Sequence, residues 1–142
     1  QRGDRDAGLD NLNDSGLKKA RVRKVESAAP PGVWRIHFLS LEYERALMAF
    51  FAEEQPQVVV NLAAQAGVRY SLKNHAAYIQ SNLVGIGHVL EGYWHHYVEN
   101  WCVPRVLDYG GNRILPFHEH QHLDNHPVSL YAASKKVNEL MA

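Results

Sequence analysis

The stretch Gln57–Ser71 reads QVVVNLAAQAGVRYS: three consecutive valines that give way to small and polar residues. A run of adjacent β-branched residues signals a strand buried on both faces, as in a parallel sheet. A strand is therefore expected over 57–64. Ligands of open α/β sheets bind at the carboxyl ends of the strands, and small residues there let a flat molecule approach the backbone. The plain alternative is an alanine-rich exit from strand to loop.

The segments on either side alternate. Upstream, Leu47, Phe50, Phe51 and Glu54 recur at helical spacing over 42–54, and Pro56 stops that helix. Residues 33–41 (VWRIHFLSL) read as a strand. Residues 15–32 form a basic helical segment that breaks at Pro30-Pro31-Gly32. A first strand ends at Asp10, before a turn rich in Asp and Asn. Downstream, Ile79, Leu83, Ile86 and Leu90 predict a long helix over 76–97. Residues 100–107 form a poorer strand, because Pro104 cannot donate to a ladder. A polar loop over 110–126 and a helix over 129–141 complete the order. Such alternation gives an α/β class with a parallel sheet and right-handed crossovers.

The chain has 142 residues, room for one core. Its 15 Lys plus Arg balance 15 Asp plus Glu. That argues against nucleic acid, whose binding needs excess cation to displace phosphate counterions. No apolar run is long enough to span a membrane. The single cysteine, Cys102, fits a reducing compartment such as the cytoplasm.

Tyr131 and Lys135 are spaced i and i+4, so a helix places both on one face. A cation near a phenol favours the phenolate, which then takes a proton from an alcohol near neutral pH. The plain alternative is a surface lysine four residues from a half-buried tyrosine. Asp10, at the end of a strand, is placed to accept ribose hydroxyls of an adenosine; a solvated turn carboxylate is the rival. His118, His120 and His122, with Asp124 and His126, would suit zinc if extended. The flanking Pro116 and Pro127 favour a loop instead, and no metal site is assigned.

Four segments together carry a more specific signal: NLNDSG at 11–16, the Phe51–Ser71 stretch, YIQSNLVGIGHVLEG at 78–92 and HPVSLYAASKKVNELMA at 126–142. They resemble the extended short-chain dehydrogenase/reductase superfamily, and within it the NAD-dependent nucleotide-sugar epimerases, above all the UDP-glucuronate 4-epimerases. The resemblance implies a Rossmann-like fold, NAD as cofactor and a UDP-sugar as substrate, epimerised at C4; the alternatives are an inactive remnant of such an enzyme and a related NAD-dependent sugar-nucleotide dehydratase. It implies Tyr131 as catalytic base and Lys135 as its partner, which also holds the nicotinamide ribose. Asp10 and Asn11 match the adenosine-ribose positions. Leu62, Ala63 and Ala64 match the loop along the cofactor, and Asn82 the helix asparagine beside the active site. Arg69 and Ser71 match the stretch facing the sugar nucleotide. Intact members pair as homodimers through the helices here at 76–97 and 129–142.

The chain also departs from that pattern. The family's first strand and Gly-rich turn have no counterpart before Asp10, and its substrate domain lies beyond residue 142. Residues 1–142 are thus expected to form a partial NAD-binding domain, with the first strand's neighbours left unpaired. Between Asn82 and Val128 there is no Ser or Thr, so the family's hydroxyl before Tyr109-Gly110 is replaced by Arg105 or Val106. The family's adenine-contacting Asp is Ser40.

Overall fold

The computed structural model describes residues 4–13, 16–102, 127 and 129–141. Strand β1, Asp6–Asp10, lies parallel to β2, Trp34–Phe38, in register from Asp6 opposite Trp34 to Asp10 opposite Phe38. Helix α1, Gly16–Ala28, makes the crossover between them. The Trp34 indole lies over Gly8 and leaves no room for a Cβ there. A second parallel pair joins β3, Val58–Val60, to β4, Asn100–Cys102. The Asn61 amide extends that ladder by donating to the Cys102 carbonyl at 2.9 Å.

Helix α2, Glu44–Glu54, precedes β3 and ends at Gln55, whose left-handed φ of 45° turns the chain into Pro56. Its Leu47 and Phe51 form the core with Val89 and Val98, and Leu9, Leu41, Val59 and Trp101 pack around them. Burying side chains of this size supplies about 2 kcal/mol each, which makes this cluster the main apolar support of the fold. Glu54 belongs to the same helix but is buried as a charge. Its carboxylate lies 2.9 Å from His37 Nε2, 3.5 Å from Arg5 and 3.7 Å from Arg35. A buried carboxylate needs such partners, so the helical spacing that marked Glu54 reflects an ion cluster and not an apolar stripe.

Two strand expectations require correction. The strand placed over 57–64 is hydrogen-bonded as a strand only at Val58–Val60. Nor is it buried on both faces: Val58 is 55% and Val60 57% exposed. The reason lies in the topology. β1 and β3 are not hydrogen-bonded to each other, and the described strands form two separate two-stranded sheets. A cleft of about 1350 Å³ lies between them, and both valines line it. The second strand is also shorter than 33–41, since Leu39–Leu41 lies beyond Phe38.

The helix expected over 76–97 has three parts. These are α4, His75–Ile79, a π-turn, Gln80–Val84, and α5, Gly85–His95. Asn74 caps α4, its Oδ1 accepting from the Ala77 amide at 3.2 Å. The buried residues are Tyr78, Asn82, Gly85, Ile86, Val89 and Gly92; Ile79 is 43% exposed, and Leu83 and Leu90 are only partly covered. The buried stripe follows the glycines, because Gly85 lies against Leu41 and Gly92 against the Phe51 ring. The π-turn's additional residue rotates α5 relative to α4, so a count of apolar residues at constant spacing misses the stripe. Between β3 and α4 lies a short helix, α3, Val68–Ser71, in a stretch to which the sequence reading assigns no element.

Helix α6, Leu130–Met141, packs on α3, α4 and the π-turn. β4 is described only to Cys102. Pro104, Arg105, Val106, Tyr109-Gly110 and the His118–His126 cluster lie outside the described residues. Among the described residues no helix is long and apolar enough to cross a membrane, and no group of three His, Cys, Asp or Glu is arranged to hold a metal.

Candidate functional site

The carboxyl ends of β1 and β3 meet through side chains. Asp10 ends β1; its Oδ1 accepts from the Leu12 amide at 2.7 Å and from Lys18 Nζ at 3.3 Å. The adjacent Asn11 accepts from the Asn13 amide at 3.0 Å. Asn13 then reaches across, its Nδ2 donating to Gln65 Oε1 at 3.3 Å. Asp10, Asn11, Leu62, Ala63 and Ala64 all line the cleft. Five of the residues expected to hold a cofactor therefore line one cleft, which also runs back along both strands to Asp4 and Gln57. The Ala63 amide donates to Asn61 Oδ1 at 3.1 Å, which holds this loop against the end of β3.

Asn82 lies deeper. It is fully buried in the π-turn, and every polar atom of its amide is engaged. Oδ1 accepts from the Gln65 amide at 2.7 Å, while Nδ2 donates to the Gln65 carbonyl at 3.1 Å and to Ser134 Oγ at 3.0 Å. The single side chain thus joins the loop after β3 to α6. Its neighbour on the helix, Tyr78, is also fully buried and donates to the Ala66 carbonyl at 2.8 Å and to that of Gly67. Burial pushes the Tyr78 phenol above its ordinary value. Gly67 stands at a φ of 103°, a conformation open to glycine but strained for other residues.

Tyr131 is half-buried and its ring meets Tyr78 edge to face at 6.2 Å between centroids. Lys135 is 7% exposed. Burial holds its ammonium below the ordinary lysine range. Among the described residues Lys135 has no acceptor or anionic partner. Tyr131, Lys135 and Asn82 do not line the cleft; they stand behind the Gln65 segment, connected to it by the Asn82 amide.

The two residues matched to the sugar nucleotide divide. Arg69 is exposed on α3. Ser71 is fully buried, and its Oγ donates to the Val68 carbonyl at 2.6 Å, so it is not presented to a ligand here. Sequence reasoning missed Ser134 and Asn138, both 2% exposed on the face of α6 that also buries Lys135. Their helical spacing from Tyr131 was the available signal.

The model of the family described as GDP-mannose 4,6 dehydratase matches residues 1–142. The chain is 42% identical over 139 residues to Protein CapI of Staphylococcus aureus, covering 95% of this chain and 40% of that protein. It is 37% identical over 149 residues to UDP-glucuronate 4-epimerase 3 of Arabidopsis thaliana, covering 100% of this chain and 33% of the other. Among solved structures, the UDP-glucose 4-epimerase of Thermus thermophilus in complex with NAD superposes with a TM-score of 0.78 at 27% identity, over 95% of this chain and 40% of that one. The chain therefore spans between a third and two fifths of the length of these relatives.

Proposed function

Since the chain belongs to the GDP-mannose 4,6 dehydratase family, we propose that it is the cofactor-binding part of an NAD-dependent enzyme that inverts C4 of a UDP-sugar, with UDP-glucuronate as substrate. The observation that carries this reading is the buried Lys135, one helical turn from Tyr131 and without an acceptor among the described residues. Ribose hydroxyls are neutral acceptors of the kind that such an ammonium lacks. Asp10 and Asn11 hold the adenosine ribose, while Leu62, Ala63 and Ala64 leave the backbone open beside the pyrophosphate. In this reading the cleft residues would hold the adenosine end of the cofactor and Lys135 its nicotinamide ribose. Bound NAD⁺ supplies a hydride acceptor. Lys135 favours the Tyr131 phenolate, which takes the proton of the C4 hydroxyl and later returns it to the same oxygen, while inversion would come from the hydride reaching C4 on the opposite face of the turned 4-keto sugar. Arg69 holds the sugar nucleotide. The whole protein works in the cytoplasm as a homodimer, paired through the outer faces of α5 and α6, where Trp94 and Leu140 are 76% and 77% exposed.

A 4,6-dehydratase is the second reading, favoured by the description of the matching family model. Both share Tyr131, Lys135 and NAD. Titration of the chain with NAD⁺, followed by tryptophan fluorescence, is expected to saturate in the micromolar range, and Lys135→Met to weaken it at least about tenfold. No saturation at millimolar NAD⁺ overturns the proposal. Incubation with UDP-glucuronate and, separately, with a 6-hydroxy sugar nucleotide then separates the chemistries: a product of unchanged mass from the first marks an epimerase, loss of one water from the second a dehydratase.

A further inference from the structure

Ser134 has no role in the scheme above, yet it is 2% exposed and holds a junction. Its Oγ donates to the Tyr131 carbonyl at 2.8 Å, three residues back in α6, and accepts from Asn82 Nδ2 at 3.0 Å. The same Asn82 amide holds the Gln65 amide and carbonyl, at 2.7 and 3.1 Å. One continuous chain of hydrogen bonds therefore runs from the Gln65 backbone through Asn82 and Ser134 to the Tyr131 backbone. It passes through the π-turn, a form of helix that is rare and concentrates at functional sites.

We propose that Ser134 is a positioning residue: its hydroxyl, held between Asn82 and the Tyr131 carbonyl, fixes segment 61–67 relative to the face of α6 that carries Tyr131 and Lys135. This rests on the functional reading above for its consequence, though not for its geometry. The physical argument is one of alternatives. A serine within a helix commonly bonds a carbonyl three or four residues back and serves only its own helix. Here the lone pair left over receives a proton from another element, and that element is saturated by the loop. Removing the hydroxyl leaves the second Asn82 N–H buried without an acceptor. The amide then gains by turning away from Gln65, and the loop loses its tie although nothing in the loop was altered. Coupling of this kind is larger inside a buried network than single bonds suggest.

Hydrogen exchange of the full chain tests it. In Ser134→Ala, amides of 61–67 are expected to exchange about fivefold faster or more, with the helical circular dichroism unchanged. Ser134→Thr, which keeps the hydroxyl, is expected to restore protection. Exchange that rises only within 130–141 overturns the proposal, because the hydroxyl then serves only its own helix. Should the alanine variant unfold, Ser134→Cys, nearly the same shape with a weak donor, gives the same comparison. NAD⁺ affinity of Ser134→Ala is expected to fall about fivefold; an unchanged affinity in a chain that binds NAD⁺ overturns the proposal. A wild-type chain that binds no NAD⁺ defeats the functional reading, and the exchange comparison still decides the role of Ser134.

Discussion

Helices α5 and α6 are of similar length, yet they bury opposite chemistry. α5 buries Gly85, Ile86, Val89 and Gly92 against Leu41, Leu47 and Phe51. α6 buries Ala132, Ser134, Lys135 and Asn138. The first face contributes transfer free energy and close packing. The second carries the nearly buried Lys135 and the Asn138 amide, whose Nδ2 and Oδ1 have no partner among the described residues, groups that cost free energy to remove from water. The contrast separates an apolar contact that supports the fold from a polar one that adds little transfer free energy.

The comparison is broken most forcefully on the apolar side. Phe51→Ala removes a ring that is 2% exposed and fills the notch at Gly92. A loss of about 3–5 kcal/mol is expected, read as a lower midpoint in urea. On the polar side the sign reverses. Asn138 is 2% exposed, and neither its Nδ2 nor its Oδ1 has a partner among the described residues. Asn138→Leu is expected to raise stability by about 1–3 kcal/mol in the same assay; a loss would show that the amide is satisfied in solution.

Lys135 gives the smallest and most selective effect. Burial lowers its pKa in the folded chain. Between that lowered value and the 10.5 of an unperturbed lysine, only the unfolded chain holds the proton. Stability from this group therefore increases as pH rises through that window, and its burial cost is fully present below it. Lys135→Met is expected to add about 1 kcal/mol at neutral pH and to flatten this slope. Urea midpoints measured across alkaline pH for both chains check the sign, and a parallel slope in the variant would assign it to another group.

Much of this division could be read beforehand. Three valines in a row located β3, and Pro56 located the end of α2, because both act through local backbone chemistry. The helix that carries Tyr131 and Lys135 was legible, and i and i+4 share a helical face whatever that helix packs on. The exposure of Val58 and Val60 corrects the reading of three valines as doubly buried but matches the expectation that, without the family's first strand, its neighbours stay unpaired, a property of topology and not of β-propensity. The π-turn left no periodic trace. Ser134 and Asn138 were passed over because polar residues on a helix are normally solvated, and only the partner across the contact reveals otherwise.

The π-turn at Gln80–Val84 has a consequence for how the chain tolerates length changes. It carries one residue more than a regular helix needs over the same axial distance. Deleting a residue there would let the ladder close into ordinary α-helix, with better local bonding than before. The same deletion would swing everything on one side of it by about 100° about the helix axis. Either Asn82 would leave Gln65 and Ser134, or the glycine notches would leave Leu41 and Phe51. The surplus residue therefore works as a phase adjuster, letting one rod satisfy an apolar partner along half its length and a polar one along the other.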